Sequence, residues 1–260
     1  MKNPLLKRSS WWLPAASLLL TLAALSSPAL HAQSGPTPYP DEKDLSAWPG
    51  VGNVRTYPYM TENRTYFWTQ REKEQNGVVF VGDSLFGNWY QAKVKIKEAF
   101  PDVKHVVNRA IGGDTSRGVL FRFQEDVLDL HPTAVIILVG TNDLSSKDKT
   151  DNTVANLSSI IDAAHKENPA MPIVLCNIPP RAIKTSPVDS SQITELNQKI
   201  EALAKSKEHV TYFDTFTLFA LPDGQPDPAK YKADMIHFSD EGYAKLSEAL
   251  GKVFAEQKIQ

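Results

Sequence analysis

From residue 78 onward, short apolar runs rich in β-branched residues alternate with stretches whose apolar residues recur every three or four positions. The runs cover 78–81, 105–108, 134–139, 172–177 and 210–214. Near-continuous apolar runs of this length predict strands buried on both faces, as in a parallel sheet. Between them, helical spacing predicts helices over 61–75, 85–100, 150–167 and 189–206. Another starts at Asp114 or Thr115, with Val119, Leu120 and Phe123 inward, and a last one is capped by Ser239 and runs to Gln257. In the 85–100 stretch, Leu85, Trp89, Ala92, Ile96 and Phe100 form the inward stripe, which makes Trp89 a core residue. The segment 216–232 carries Pro222, Pro226, Pro228 and Gly224 and reads as irregular. Five strand–helix alternations predict an α/β domain over 61–260, with a five-stranded parallel sheet covered on both faces. Right-handed crossovers place every strand's C-terminal end on one edge, where open α/β sheets bind ligands.

The first 60 residues break the pattern. Lys2, Lys7 and Arg8 precede an apolar run from Trp11 to Leu25, followed by Ser26, Ser27, Pro28 and Ala32. This is the layout of a signal peptide over 1–32, so the mature chain is expected in the periplasm or outside the cell, with no stable membrane insertion. Residues 33–60 are rich in Pro, Gly and Tyr and read as an extended segment wrapped over the domain, ordered by Trp48, Tyr57 and Tyr59. Composition is that of a soluble globular protein, 42% apolar and 22% charged. Without residues 1–32, which hold three basic and no acidic residues, 25 basic residues stand against 30 acidic ones, a net charge of −5. That balance gives no footprint for nucleic acid. The single cysteine, Cys176, lies in a strand and reads as a buried structural thiol.

Polar stretches follow the strands. Gly82-Asp83-Ser84 ends the first, Gly112-Gly113-Asp114 comes after the second, and Gly140-Thr141-Asn142-Asp143 ends the third. Asp234-x-x-His237 lies just before the last helix and would have to fold back over them. Taken singly, Ser84 is equally a helix N-cap, Asn142 a turn residue, and Asp83, Asp114 and Asp143 loop braces or caps. Taken together they are the parts acyl transfer needs. Ser84 would attack a carbonyl carbon, His237 would take and return its proton, and Asp234 would hold the imidazole. The N–H groups of Ser84 and Gly113 and the side-chain amide of Asn142 could stabilise an oxyanion.

These four blocks, in this order, resemble the SGNH hydrolases, also called the GDSL esterase/lipase family. The stretch Asn108-Arg109-Ala110-Ile111-Gly112-Gly113-Asp114-Thr115 looks most like the branch related to the platelet-activating-factor acetylhydrolase catalytic subunits. The resemblance covers roughly 78–250. It implies a flavodoxin-like, three-layer α/β/α sandwich, metal-free catalysis without a cofactor, and small acyl groups such as acetyl. Nothing carries over onto 33–77.

Other site chemistries lack their motifs. Ser84 is not in a G-x-S-x-G elbow, and neither a P-loop nor a G-x-G-x-x-G fingerprint occurs. His105, His131, His165 and His209 show no metal-ligand spacing. The expected activity is hydrolysis of short-chain O-esters on a small molecule or an acetylated glycan. A lysophospholipase or acyltransferase would use the same triad, and a silent carbohydrate-binding relative would keep the fold alone. The sequence does not report an oligomeric state.

Overall fold

In the computed structural model, residues 34–183 and 187–260 are described. The segment read as a signal peptide lies outside them. Five parallel strands form one sheet: β1 (Val78–Gly82), β2 (Val106–Asn108), β3 (Ala134–Leu138), β4 (Ile173–Cys176) and β5 (Val210–Phe213), in the order β2-β1-β3-β4-β5. Every residue of β1, β3 and β4 is buried, which is what their unbroken apolar runs require. The helices are α1 (Pro58–Gln70), α2 (Ser84–Gly87), α3 (Ile96–Ala99), α4 (Ser116–Asp126), α5 (Thr141–Ser145), α6 (Thr150–Glu167), α7 (Ser190–Lys205), α8 (Thr215–Phe219) and α9 (Asp240–Gln257). On one face of the sheet α4, α6 and α7 pack side by side. On the other, α9 closes an aromatic core in which Phe80, Trp89, Phe100 and Phe254 meet ring to ring. Among the described residues, no helix is long and apolar enough to cross a membrane.

Several sequence expectations need correction. The stretch 85–100 is not one helix but α2, a 3₁₀ turn at Asn88–Gln91, a loop and then α3. Its inward stripe survives, since Leu85, Trp89, Ala92, Ile96 and Phe100 are all buried. What replaces the helix is a set of side-chain partners for its backbone, local and remote. Lys95 Nζ donates to the carbonyls of Tyr90 and Ala92 at 2.9 and 2.7 Å, and the Asp240 carboxylate accepts the Lys93 N–H at 2.7 Å. Helix α1 starts at Pro58, inside the stretch read as extended, and ends at Gln70; a proline is at home in the first turn of a helix. Thr61 therefore lies within α1 and does not cap it. The irregular 216–232 segment contains most of α8 and a 3₁₀ turn at Pro228–Lys230. The helix after Gly113 is capped by Thr115, whose hydroxyl accepts the Gly118 N–H at 3.2 Å.

Asp114, the other cap candidate, belongs instead to a buried ionic network under the sheet edge. Arg122 is fully buried and pairs with Asp114 at 2.7 Å and Asp126 at 3.3 Å. It also donates to the carbonyls of Arg109 at 2.7 Å and Gly82 at 3.3 Å. One guanidinium thereby ties the end of β1 to the β2–α4 loop and to α4. A buried ion pair need not add net stability, but removing one partner strands the others in a poorly solvating interior. Arg122→Met is expected to lower the free energy of unfolding by about 3–5 kcal/mol. Equilibrium urea denaturation checks this, and a loss below about 1 kcal/mol would show that the network is dispensable.

Candidate active site

Gly82 ends β1 with φ +149°, and a Cβ there would run into the Leu138 carbonyl of the adjacent strand. Only glycine lets β1 and β3 stay paired to their ends while the chain turns to present Ser84. Asp83 caps that turn by accepting the Leu85 N–H at 2.9 Å. Helix α2 begins at Ser84, so its N–H has no acceptor within the helix. Asn142 is the second residue of α5, directly after β3, and Gly112-Gly113 follow β2. The strand order places β1 and β3 at the point where the chain reverses direction across the sheet, the usual binding crevice of an open α/β fold.

The Asp234–His237 loop does fold back over this edge. Its anchor is aromatic: Phe238 is fully buried and stacks on Phe219 at 4.0 Å, with Tyr231 beside both. Tyr231 and Phe238 also pair as an antiparallel bridge. Helix α9 approaches so closely that a Cβ on Gly242 would meet the Lys230 carbonyl. Tyr243 on α9 stacks on Trp89 and donates to the Leu85 carbonyl at 3.0 Å, which fixes the histidine loop relative to the serine turn. Met235 takes φ +54°, a left-handed conformation uncommon for a residue with a side chain. It brings the amides of Ile236 and His237 onto one Asp234 oxygen, at 3.1 and 2.9 Å.

The other Asp234 oxygen lies 2.7 Å from His237 Nδ1, and His237 Nε2 lies 2.9 Å from Ser84 Oγ. With the Nδ1 proton donated to Asp234, Nε2 is the acceptor for the serine hydroxyl. Partial burial opposes the charged form of Asp234, but hydrogen bonds from the His237 ring and from both amides outweigh it and hold the carboxyl below its ordinary value. Ser84, Gly113, Asn142 and His237 line one cavity of about 880 Å³. All the site residues named from the sequence therefore come together. Among the described residues, no group of three His, Cys, Asp or Glu side chains is placed to hold a metal ion.

The loop aspartates are braces. Asp143 is buried and accepts from Ser116 N–H and Oγ–H at 3.0 and 2.5 Å, and from Thr153 at 3.3 Å. Burial raises its pKa, against those hydrogen bonds. Burial also lifts Asp114 to about 6, with Arg122 opposing. Burial lifts Asp83 to about 7; the Leu85 N–H works against the shift, while Asp143 and Asp114 add to it. Its second oxygen is buried without a hydrogen-bond partner among the described residues.

Three further residues reach the site without a signal in the sequence pattern. Arg55 Nη2 donates to Asn142 Oδ1 at 3.1 Å, and Tyr59 donates its hydroxyl to the Gly112 carbonyl at 3.1 Å. Arg181 Nη1 donates to the Thr141 carbonyl and hydroxyl at 2.8 Å and to Ser145 at 2.7 Å, pinning α5. Arg55 and Arg181 sit in irregular segments, and Tyr59, expected only to order the N-terminal segment, stands in the first turn of α1, so nothing in periodicity marks their reach to the site.

The Asp83 shift has a thermodynamic consequence. Between the ordinary carboxyl value of 3.8 and about 7, the folded state keeps a proton that the unfolded chain has lost. Stability from this group is complete at the acid end of the window and declines as pH rises through it. Asp83→Asn cannot ionise, and its amide oxygen can still accept the Leu85 N–H. The variant is expected to gain stability relative to the parent as pH rises from about 4 to about 7. Denaturant titrations across that window check it; a constant difference between the two proteins would show that Asp83 does not titrate there.

Residues 75–245 match the model of the GDSL-like lipase/acylhydrolase family. Subunit alpha2 of human platelet-activating factor acetylhydrolase IB is 26% identical over 199 residues, covering 76% of this chain and 84% of that one. The alpha1 subunit from Rattus norvegicus is 25% identical over 227 residues, covering 87% and 90%. Among solved structures, a GDSL-like lipase from Bacteroides thetaiotaomicron superposes with a TM-score of 0.61 at 26% identity, covering 71% of this chain and 90% of that one. On the strength of a match across most of its sheet and all four polar blocks, this chain belongs to the GDSL-like lipase/acylhydrolase family, and it is a carboxylic ester hydrolase.

Proposed function

We propose that the chain is an exported serine esterase that cleaves short-chain O-esters through an acyl-enzyme, with Ser84 as nucleophile. The observation that carries this reading is the unbroken relay from Ser84 Oγ through both ring nitrogens of His237 to Asp234, at 2.9 and 2.7 Å. As Oγ bonds to the ester carbonyl carbon, its proton passes to Nε2 and the carbonyl oxygen becomes an oxyanion. Asp234 stays ionised and offsets the imidazolium charge. The N–H groups of Ser84 and Gly113 and one N–H of Asn142 stabilise the oxyanion. The intermediate collapses by breaking the C–O bond to the alcohol, which leaves with the proton from Nε2. Water then repeats the sequence on the acyl-enzyme, with His237 again taking the proton, and releases the acid and free Ser84.

Support for a small acyl group comes from the relatives named as acetylhydrolases. For the alcohol half, the cavity wall favours a sugar. Tyr59, Tyr66 and Tyr90 are exposed on it, with Asn63, Asn88 and Asn108 among them. Aromatic faces suit the C–H faces of a pyranose, and amides suit its hydroxyls. Export rests on the charged, apolar and small-residue order of residues 1–32.

Ser84→Ala is expected to abolish turnover of p-nitrophenyl acetate and labelling by an organophosphonate, with the unfolding transition preserved. Peptide mapping that places the label on another serine would overturn the assignment. Asn142→Ala is expected to lower kcat by about 10²–10³-fold with KM little changed, since the contact strengthens only in the transition state. Steady-state kinetics decide this, and a change confined to KM would make Asn142 a substrate-binding residue. Rates across a p-nitrophenyl ester chain-length series should fall beyond the shortest acyl groups. Acetate release from an acetylated xylan tests the sugar reading.

A further inference from the structure

Residues 45–59 lie ahead of the family-matched stretch, yet they are built into the site. The strap is fastened along its length. Arg117 donates to the carbonyls of Leu45, Trp48, Pro49 and Gly52 at 2.7, 3.1, 2.9 and 2.6 Å. Asn156 pairs with both backbone groups of Val51, donating to the carbonyl at 2.9 Å and accepting the N–H at 3.0 Å. Asp148 accepts the Asn53 N–H at 2.7 Å. These anchors come from α4, from α6 and from the α5–α6 loop, the elements that flank Asn142. An irregular segment held by this many charged and amide partners has its backbone fixed as firmly as a strand.

At the end of the strap, Arg55 meets Asn142. Its Nη2 donates to Oδ1 at 3.1 Å and lies 3.4 Å from the backbone carbonyl of the same residue. On its other side, Asn142 Nδ2 donates to the Asp114 carbonyl at 2.9 Å. An Asn amide has an oxygen that accepts and a nitrogen with two N–H donors. A guanidinium only donates and a carbonyl only accepts, so these two neighbours assign the amide's orientation. Reversing it would set N–H against N–H and oxygen against oxygen. With the oxygen engaged and one N–H given to Asp114, the second N–H is the group left for the cavity. Tyr59 and Tyr57 act on the adjacent loop, stacked on each other at 5.4 Å. The Tyr59 hydroxyl holds the Gly112 carbonyl at 3.1 Å, and a Cβ on Gly113 would meet the Tyr59 hydroxyl and the Tyr57 ring.

We propose that Arg55 is a positioning residue for the oxyanion site, delivered by the N-terminal strap to fix the Asn142 amide with its free N–H toward the ester. The proposal rests on the reading of Asn142 as an oxyanion donor. Arg55 acts through Asn142 and touches no reacting atom, so its effect belongs in kcat and vanishes when Asn142 has no amide.

A double-mutant cycle on the full chain with p-nitrophenyl acetate tests this. Arg55→Ala is expected to lower kcat about 10–100-fold, as small misplacements of a transition-state contact do, with KM little changed. Arg55→Lys keeps one donor for Oδ1 and should recover part of the loss. In an Asn142→Ala background, Arg55→Ala should cost nothing further. The organophosphonate should still label Ser84 in every variant, which reports a folded site with an intact nucleophile. Wild-type kcat in Arg55→Ala, a rise in KM alone, or the same fold loss in both backgrounds would each overturn the proposal. If Asn142→Ala itself turns over at the wild-type rate, the oxyanion reading fails first. If Asn142→Ala is slow and Arg55→Ala is not, only the positioning role fails.

Discussion

The arrangement of the site depends on the buried Arg122 guanidinium. Parallel strands bring three loops to one edge but do not set their spacing. Arg122 does so by taking the Gly82 carbonyl that ends β1, the Arg109 carbonyl just past β2, and the Asp114 carboxylate further along the same loop. A hydrophobic residue of similar volume could fill the same space. It could not replace the donors to the Arg109 carbonyl and the Asp114 carboxylate, and each loss would carry a desolvation cost of about 1–3 kcal/mol or more; the Gly82 carbonyl would keep the Ile111 N–H and Asp126 would keep Arg64. The ion pairs are best understood as fixing where the loops sit, with any gain in net stability secondary.

Above this network the working groups of the site are nearly all neutral. Permanent charge is held below the floor or at the rim. Asp83, Asp114 and Asp143 are buried and braced, while Asp234 is partly open to solvent and held ionised by three hydrogen bonds. Among the described residues lining the cavity, Arg55 alone carries a permanent charge, and its Nη2 is turned onto Asn142. A neutral, preset site costs little reorganisation as charge develops on an ester oxygen. The same economy explains the aromatic packing behind it. Trp89, Tyr243, Phe238 and Phe219 form a continuous rigid wall that joins the serine turn to the histidine loop.

The N-terminal strap alters how the domain should be drawn. The family-matched core supplies all three proposed catalytic side chains, but residues 45–59 supply the groups that hold two of the three proposed oxyanion loops. Truncating the chain to that core would remove those supports while leaving the nucleophile in place.

The sequence by itself determined the sheet, because strands buried on both faces must be apolar throughout, and it showed the order of alternation that makes them parallel. It also carried the candidate site residues, since Ser84, Gly113, Asn142 and Asp234-x-x-His237 each stand after a strand or before a capped helix. Tertiary structure decided the rest. The 85–100 helix broke where Lys95, from three and five residues on, and Asp240, from 147 residues on, satisfy backbone groups that a helix would otherwise pair, and the second contact is invisible to a 3.6-residue pattern. Asp114 became a partner of Arg122, eight residues away on α4, where spacing suggested a cap. Arg55 and Arg181 stand in irregular segments and Tyr59 in the first turn of α1, and their roles exist only where distant backbone carbonyls and the Asn142 amide are brought within hydrogen-bonding reach. Periodicity records which face of an element is buried. It does not record which polar group from a remote loop will meet another across the sheet edge, because that is fixed only when the whole chain has packed.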